Sequence, residues 1–158
     1  MKLAPIHLGE VSFRRVSVEL DAGRLGPDGI LPGTVSDGHG VDIGTNVSFS
    51  QMEDDDEPGS RYFLVLRVLI ENKASEGDVL FSPYLVDVEA GALIRALPGA
   101  EELGDVDDLV VVNGTSLLWS SIREQVCNLT ARMPAGVLML PTVNFHDLRR
   151  ERRDEAGQ

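Results

Sequence analysis

Three histidines and one cysteine are the residues of widest chemical range in this 158-residue chain, and their spacing yields no reactive set. His7, His39 and His146 are scattered, and no HxxxH or CxxC pair brings two metal ligands together. Cys127 has no histidine near it in sequence to draw off its proton. It lies beside an apolar helical stripe, so it reads as a packed thiol and not a nucleophile. The strained serine elbow GxSxG, the phosphate-cradling P-loop and the dinucleotide fingerprint GxGxxG are all absent. The acidic run Glu53–Glu57 crowds carboxylates together but lacks the ligand spacing and glycine of an EF-hand, and it reads as a solvated loop tip. The sequons at Asn46, Asn113 and Asn128 carry no weight in a chain read as cytosolic. These residues give no reason to propose an enzyme, a metal site or a cofactor.

The totals narrow the partners. Net charge is −12, and the segment from His146 to Gln158 balances four arginines with four acids, so the body carries all of it. Duplex nucleic acid and anionic membrane surfaces need basic patches, so neither is an expected partner; a positively charged one is. A single cysteine permits no intrachain disulfide and suits a reducing compartment. With no signal-like apolar core in MKLAPIHLGEVSF and no apolar run near transmembrane length, the expected location is the cytoplasm.

The elements that would position any site follow from periodicity. EVSFRRVSVEL (10–20) alternates but changes phase at Arg14-Arg15, where a bulge would restore a common face. VDIGTNVSFS (41–50) alternates cleanly, with Val41, Ile43, Val47 and Phe49 on one side. RYFLVLRVLIEN (61–72) is apolar on nearly both faces and predicts a central strand. DVLFSPYLVDVEAGALI (78–94) predicts a fourth, interrupted by Pro83, which cannot donate a ladder hydrogen bond. The glycine-rich stretch 22–40 predicts a long crossover, and 52–60 and 72–78 predict polar loops. A helix capped by Thr115 or Ser116 should follow, with Trp119, Ile122, Val126, Leu129 and Met133 on one stripe and Pro134 as its stop. Asn144, with Asp147 three residues on, predicts a short second helix running into the arginines. The fold class is α+β: a four-stranded antiparallel sheet with a long helix and a short C-terminal helix packed on one face. Residues 1–148 make one domain, and 149–158 a charged tail or the end of the second helix.

The unusual feature is apolar. Val137, Leu138, Met139 and Leu140 sit between two helix-breaking prolines, with Val143 and Phe145 beyond. Such a run is either a packed connection or edge strand, or the lining of a groove, since methionine and unbranched apolar side chains make adaptable surfaces.

At this point the sequence resembles the SecB family of export chaperones. LLWSSIREQVCNLTARMPAGVLMLPTVNFHDL (117–148) is similar to the family's long-helix and crossover signature without gaps. The matches are Trp119, Arg123-Glu124, Arg132, Leu138, Leu140, Val143-Asn144-Phe145 and Leu148. YFLVLRVLI (62–70) and YLVDVEAGALI (84–94) resemble its third and fourth strands, and Val16 and Glu19 its first. The resemblance implies a dimer-of-dimers chaperone, independent of ATP, that holds unfolded preproteins and delivers them to the SecA motor. Its implied client groove is Trp119, Val137, Leu138, Leu140, Val143, Phe145 and Leu148. Its implied motor contacts are Glu19, Leu85 and Asp87, and the implied tetramer interior takes Ile122, Val126 and Leu129 of the long helix. The family's other first-strand acid falls at Arg15, a reversal of charge. Toxin–antitoxin-linked relatives share the helix signature, so a dedicated chaperone of one client such as an antitoxin is the alternative. A small-ligand binding protein using the crossing as a pocket is the alternative from another class.

Overall fold

Alternation and continuous apolar runs translate into one antiparallel sheet in a computed structural model, which describes residues 5–24, 40–52, 60–73 and 80–149. Strands β1 (Ile6–Leu20), β2 (Gly44–Met52), β3 (Ser60–Ile70) and β4 (Tyr84–Ala96) lie in the spatial order β1-β4-β3-β2, with every pairing antiparallel. The two most apolar strands take the middle, where both edges are paired. Tyr62, Leu64, Leu66, Val68 and Ile70 of β3 and Tyr84, Val86, Val88 and Ile94 of β4 point to one face, and all are buried.

The phase change in β1 is resolved as expected, by a register shift between Phe13 and Arg15. A second shift, between Leu8 and Val11, straddles the expected start of the strand at residue 10 and was not anticipated. With both in place, Ile6, Leu8, Val11, Phe13, Val16, Val18 and Leu20 all stand opposite inward-facing residues of β4. Boundaries move as well: β1 begins at Ile6 and β3 ends at Ile70. β2 begins at Gly44, leaving Val41 in an isolated parallel bridge to Leu80, and β4 begins only after Pro83. Where β3 and β4 approach at that end, Asn72 adopts φ 51° and clasps the chain. Its amide donates to Asp21 Oδ2 (2.8 Å) and to the Ser82 carbonyl (2.7 Å), and its oxygen accepts from Ser82 N–H (3.0 Å).

One long helix, α1 (Val106–Thr130), covers the apolar face. It starts nine residues before the expected cap: Asp105 Oδ1 accepts from Asp108 N–H at 2.9 Å, while Ser116 lies inside and donates back to the Val112 carbonyl. Tyr62 OH donates to Asp107 at 2.8 Å, tying the first turn to β3; burial and that carboxylate push the phenol up to about 12. Gly114 marks the closest approach of helix to sheet. A Cβ there would overlap Ile94 and stand 2.7 Å from Leu64 Cδ2. After α1 the chain runs without regular hydrogen bonding to a turn at Phe145–Arg149, where Asn144 Oδ1 accepts from His146 N–H. The rest of the expected second helix, the tail from residue 150, the crossover at 25–39 with His39, and the acidic loop at 53–59 lie outside the described residues.

Candidate functional site

The crossing from Met133 to Phe145 is built on α1 and fixed to it by polar contacts at short intervals. Thr130 Oγ1 donates to the Val126 carbonyl and accepts from Leu138 N–H at 2.9 Å. Cys127 Sγ donates weakly to the Leu138 carbonyl at 3.4 Å, so the thiol serves as a packing and anchoring group. Tyr84 OH reaches from β4 to the Gly136 carbonyl at 2.6 Å. Trp119 Nε1 donates to the Pro141 carbonyl at 3.0 Å, and its ring meets Phe145 edge-on with centroids 5.8 Å apart.

These contacts divide the implied groove residues into two sets. Leu138 and Leu140 are fully buried, Trp119 and Phe145 nearly so, and Leu148 partly. They hold the crossing against the core of their own chain and present little surface. Val137 and Val143 face outward at 43% and 37% exposure, joined by Met139 at 46%, which the family match passes over. The alternation Val137-out, Leu138-in, Met139-out, Leu140-in was not legible in the sequence, because all four residues are apolar and only burial separates them.

The residues implied to line a subunit interface are also sorted by burial. Ile122 and Val126 have no exposed surface because their stripe packs on the chain's own sheet, and Leu129 alone is exposed. The stripe reported which helix face is covered and could not report by what. Other exposed apolar residues lie nearer the start of α1: Leu103, just before the helix, and Leu117 border an apolar depression of about 430 Å³ with Pro5, Ile6 and Leu109. The lining of that depression is mostly apolar, with Asn113 and Ser116 adding polar groups.

Glu19, Leu85 and Asp87 do lie together on the open face of the sheet. Glu19 stands opposite Leu85 across β1–β4, and both border a depression of about 350 Å³ with Asp87, Leu69, Glu71 and Lys73. Asp87 is not a free acid. Arg67 grips it at 2.8 and 2.9 Å, and Arg15 donates to the same carboxylate at 2.7 Å. The Arg67 hydrogen bonds, then those of Arg15, pull its pKa down to about 2 against the opposing cost of partial burial. The bulge explains how two consecutive arginines serve one face: Arg15 meets Asp87 while Arg14 reaches Glu89 at 3.4 Å.

Among the described residues no three metal-binding side chains converge, and no helix is long and apolar enough to cross a membrane. No protein-family model and no curated protein matches the chain. Among solved structures, a Streptococcus agalactiae protein of unknown function is similar over 89% of this chain and 97% of its own, with a TM-score of 0.52 and 11% identity. That likeness concerns the fold alone. The Mycobacterium tuberculosis Rv1957 SecB-like chaperone, in complex with a ChAD peptide from the Rv1956 HigA1 antitoxin, covers 89% of this chain and 88% of its own at 16% identity. Its TM-score of 0.38 gives it no further weight here.

Proposed function

We propose that the protein is an ATP-independent, cytoplasmic chaperone that holds unfolded polypeptides on the outward side of the crossing. The observation that carries this reading is the outward row of Val137, Met139 and Val143, fixed in place by a buried row of Leu138, Leu140 and Phe145. An exposed apolar strip is ordinarily an aggregation liability; a charge of −12 keeps copies of the protein apart while leaving the strip available. The resemblance of residues 117–148 to the SecB signature supports the same role. The purified protein should slow aggregation of a signal-bearing precursor diluted from denaturant, and Met139→Glu should remove most of that effect. A wild-type protein that neither slows aggregation nor delays refolding of such a precursor ends the proposal.

Within this reading, a dedicated client such as an antitoxin is better supported than delivery to SecA. Of the two acids that the resemblance assigns to the motor, Asp87 is held between Arg15 and Arg67, so that it offers a basic partner little negative charge and leaves Glu19 for the contact. A pull-down from cells should return one dominant client. Recovery of many unrelated precursors, together with measurable SecA binding, would instead establish the general export role.

A further inference from the structure

We propose that strand β2 pairs with β2 of a second copy of this chain, joining two four-stranded sheets into one. This contact is independent of the chaperone reading. β2 ends the sheet: it is bonded to β3 on one side, and among the described residues no strand lies on its other side. An end strand presents a row of main-chain donors and acceptors, which proteins ordinarily blunt with charge, proline or a bulge. β2 has none of these. Gly44–Met52 reads GTNVSFSQM, with no charged residue and no proline, and its register with β3 runs unbroken over nine residues. The opposite end strand, β1, is blunted: it has two register shifts and the ionisable side chains of His7, Glu10, Arg14, Arg15 and Glu19.

The residues of β2 complement themselves. With a two-fold axis through Ser48, antiparallel pairing sets Ser48 opposite its counterpart, Val47 opposite Phe49, Asn46 opposite Ser50, Thr45 opposite Gln51 and Gly44 opposite Met52. Opposed side chains share a face. Val47 and Phe49, which pack on the core, therefore meet across the seam on the inner side, while Asn46, Ser48 and Ser50 meet on the outer side. Aromatic with β-branched and serine with serine are favourable pairs, and no like charges come opposite one another. A slip of one residue would set Val47 and Phe49 against the polar face instead. Full pairing supplies about eight main-chain hydrogen bonds, within the range of an ordinary protein interface. A net charge of −12 opposes contact between copies, which favours a strand that carries none. The acidic run Glu53–Glu57 follows β2 in the sequence, and antiparallel pairing attaches the two runs at opposite ends of the seam. Those ends lie about 30 Å apart, several screening lengths at physiological salt.

The test uses the full-length chain with Cys127→Ser, which keeps a donor for the Leu138 carbonyl and leaves an introduced cysteine as the sole thiol. Ser48→Cys lies on the axis, with its two Cα atoms about 4.5–5.5 Å apart and within disulfide range. Mild oxidation should convert most of it to a covalent dimer on a non-reducing gel. Ser50→Cys stands about 14 Å from its own counterpart and should remain monomeric. A mixture of Ser50→Cys and Asn46→Cys chains should link one to the other. Failure of Ser48→Cys to cross-link, or equal cross-linking of Ser48→Cys and Ser50→Cys, would overturn the proposal. Sedimentation provides a second test in a Leu117→Glu background, which removes the apolar depression beside α1 as a rival contact. That chain should sediment as a dimer. Adding Ser48→Lys, which sets like charges on the axis from an exposed position, should weaken the dimer at least tenfold with an unchanged circular dichroism spectrum. A monomeric Leu117→Glu chain, or a dimer indifferent to Ser48→Lys, would overturn β2 as the seam.

Discussion

Asp87 accepts hydrogen bonds from two guanidiniums at once, and the sign of its pKa shift sets a pH dependence. Its folded value, about 2, lies below the ordinary aspartate value. The stability it contributes is therefore complete above pH ~4 and disappears as pH falls toward 2. Because the pair is partly exposed, Asp87→Asn should cost only about 1 kcal/mol at pH 7. Urea midpoints of the wild type and the variant should converge as pH drops to 2.5, and a gap that stays constant would contradict the assignment. Asn72 offers a second test at this scale, because its left-handed backbone and its three hydrogen bonds make separate contributions. Asn72→Gly loses only the bonds, whereas Asn72→Ala also strains the backbone. Chemical denaturation should place Ala about 1 kcal/mol below Gly. Neither residue stands out in the sequence: the partners of Asn72 are Asp21 and Ser82, which only the closed sheet end brings within reach.

At the scale of elements, the middle strands and the bulge in β1 were readable because each is written as a local pattern. The start of α1 was not. Val110-Val111-Val112 favours a strand and Asn113-Gly114 a turn, so nine helical residues before Thr115 are disguised by poor propensity. Their helical state is set by the sheet, on which Gly114 packs directly against Leu64 and Ile94. The overlooked signal was Asp105 followed by acids at 107 and 108, which caps a helix and suits the positive end of its dipole. Gly114→Ala separates propensity from packing. On propensity alone it should stabilise by about 1 kcal/mol. The collision with Leu64 and Ile94 should win, with a net loss of about 1–3 kcal/mol in thermal or chemical unfolding. Within the crossing, apolar content was legible and orientation was not: four apolar residues in a row do not show which of Val137–Leu140 anchor and which face out.

For the whole molecule, the tetramer implied by the resemblance has to use surface that the chain leaves open. Leu103 and Leu117 are exposed around the apolar depression near the start of α1, whereas Ile122 and Val126 are sealed under the sheet. Sedimentation at micromolar concentration should show a tetramer, reduced to smaller species by Leu117→Glu with the fold intact. Ile122→Glu should instead unfold the chain, since an unpaired charge in the core costs about 4 kcal/mol or more. A wild-type protein that remains monomeric would contradict the assembly. The joint between α1 and the crossing has one more consequence. Trp119 is the only tryptophan, and its indole N–H is committed to the Pro141 carbonyl while its ring abuts Phe145. Any displacement of the crossing changes both the polarity around that indole and its hydrogen bond. The ultraviolet emission of the unlabelled protein therefore reports the position of the segment proposed to meet a client, and binding there should be visible in real time by colour alone.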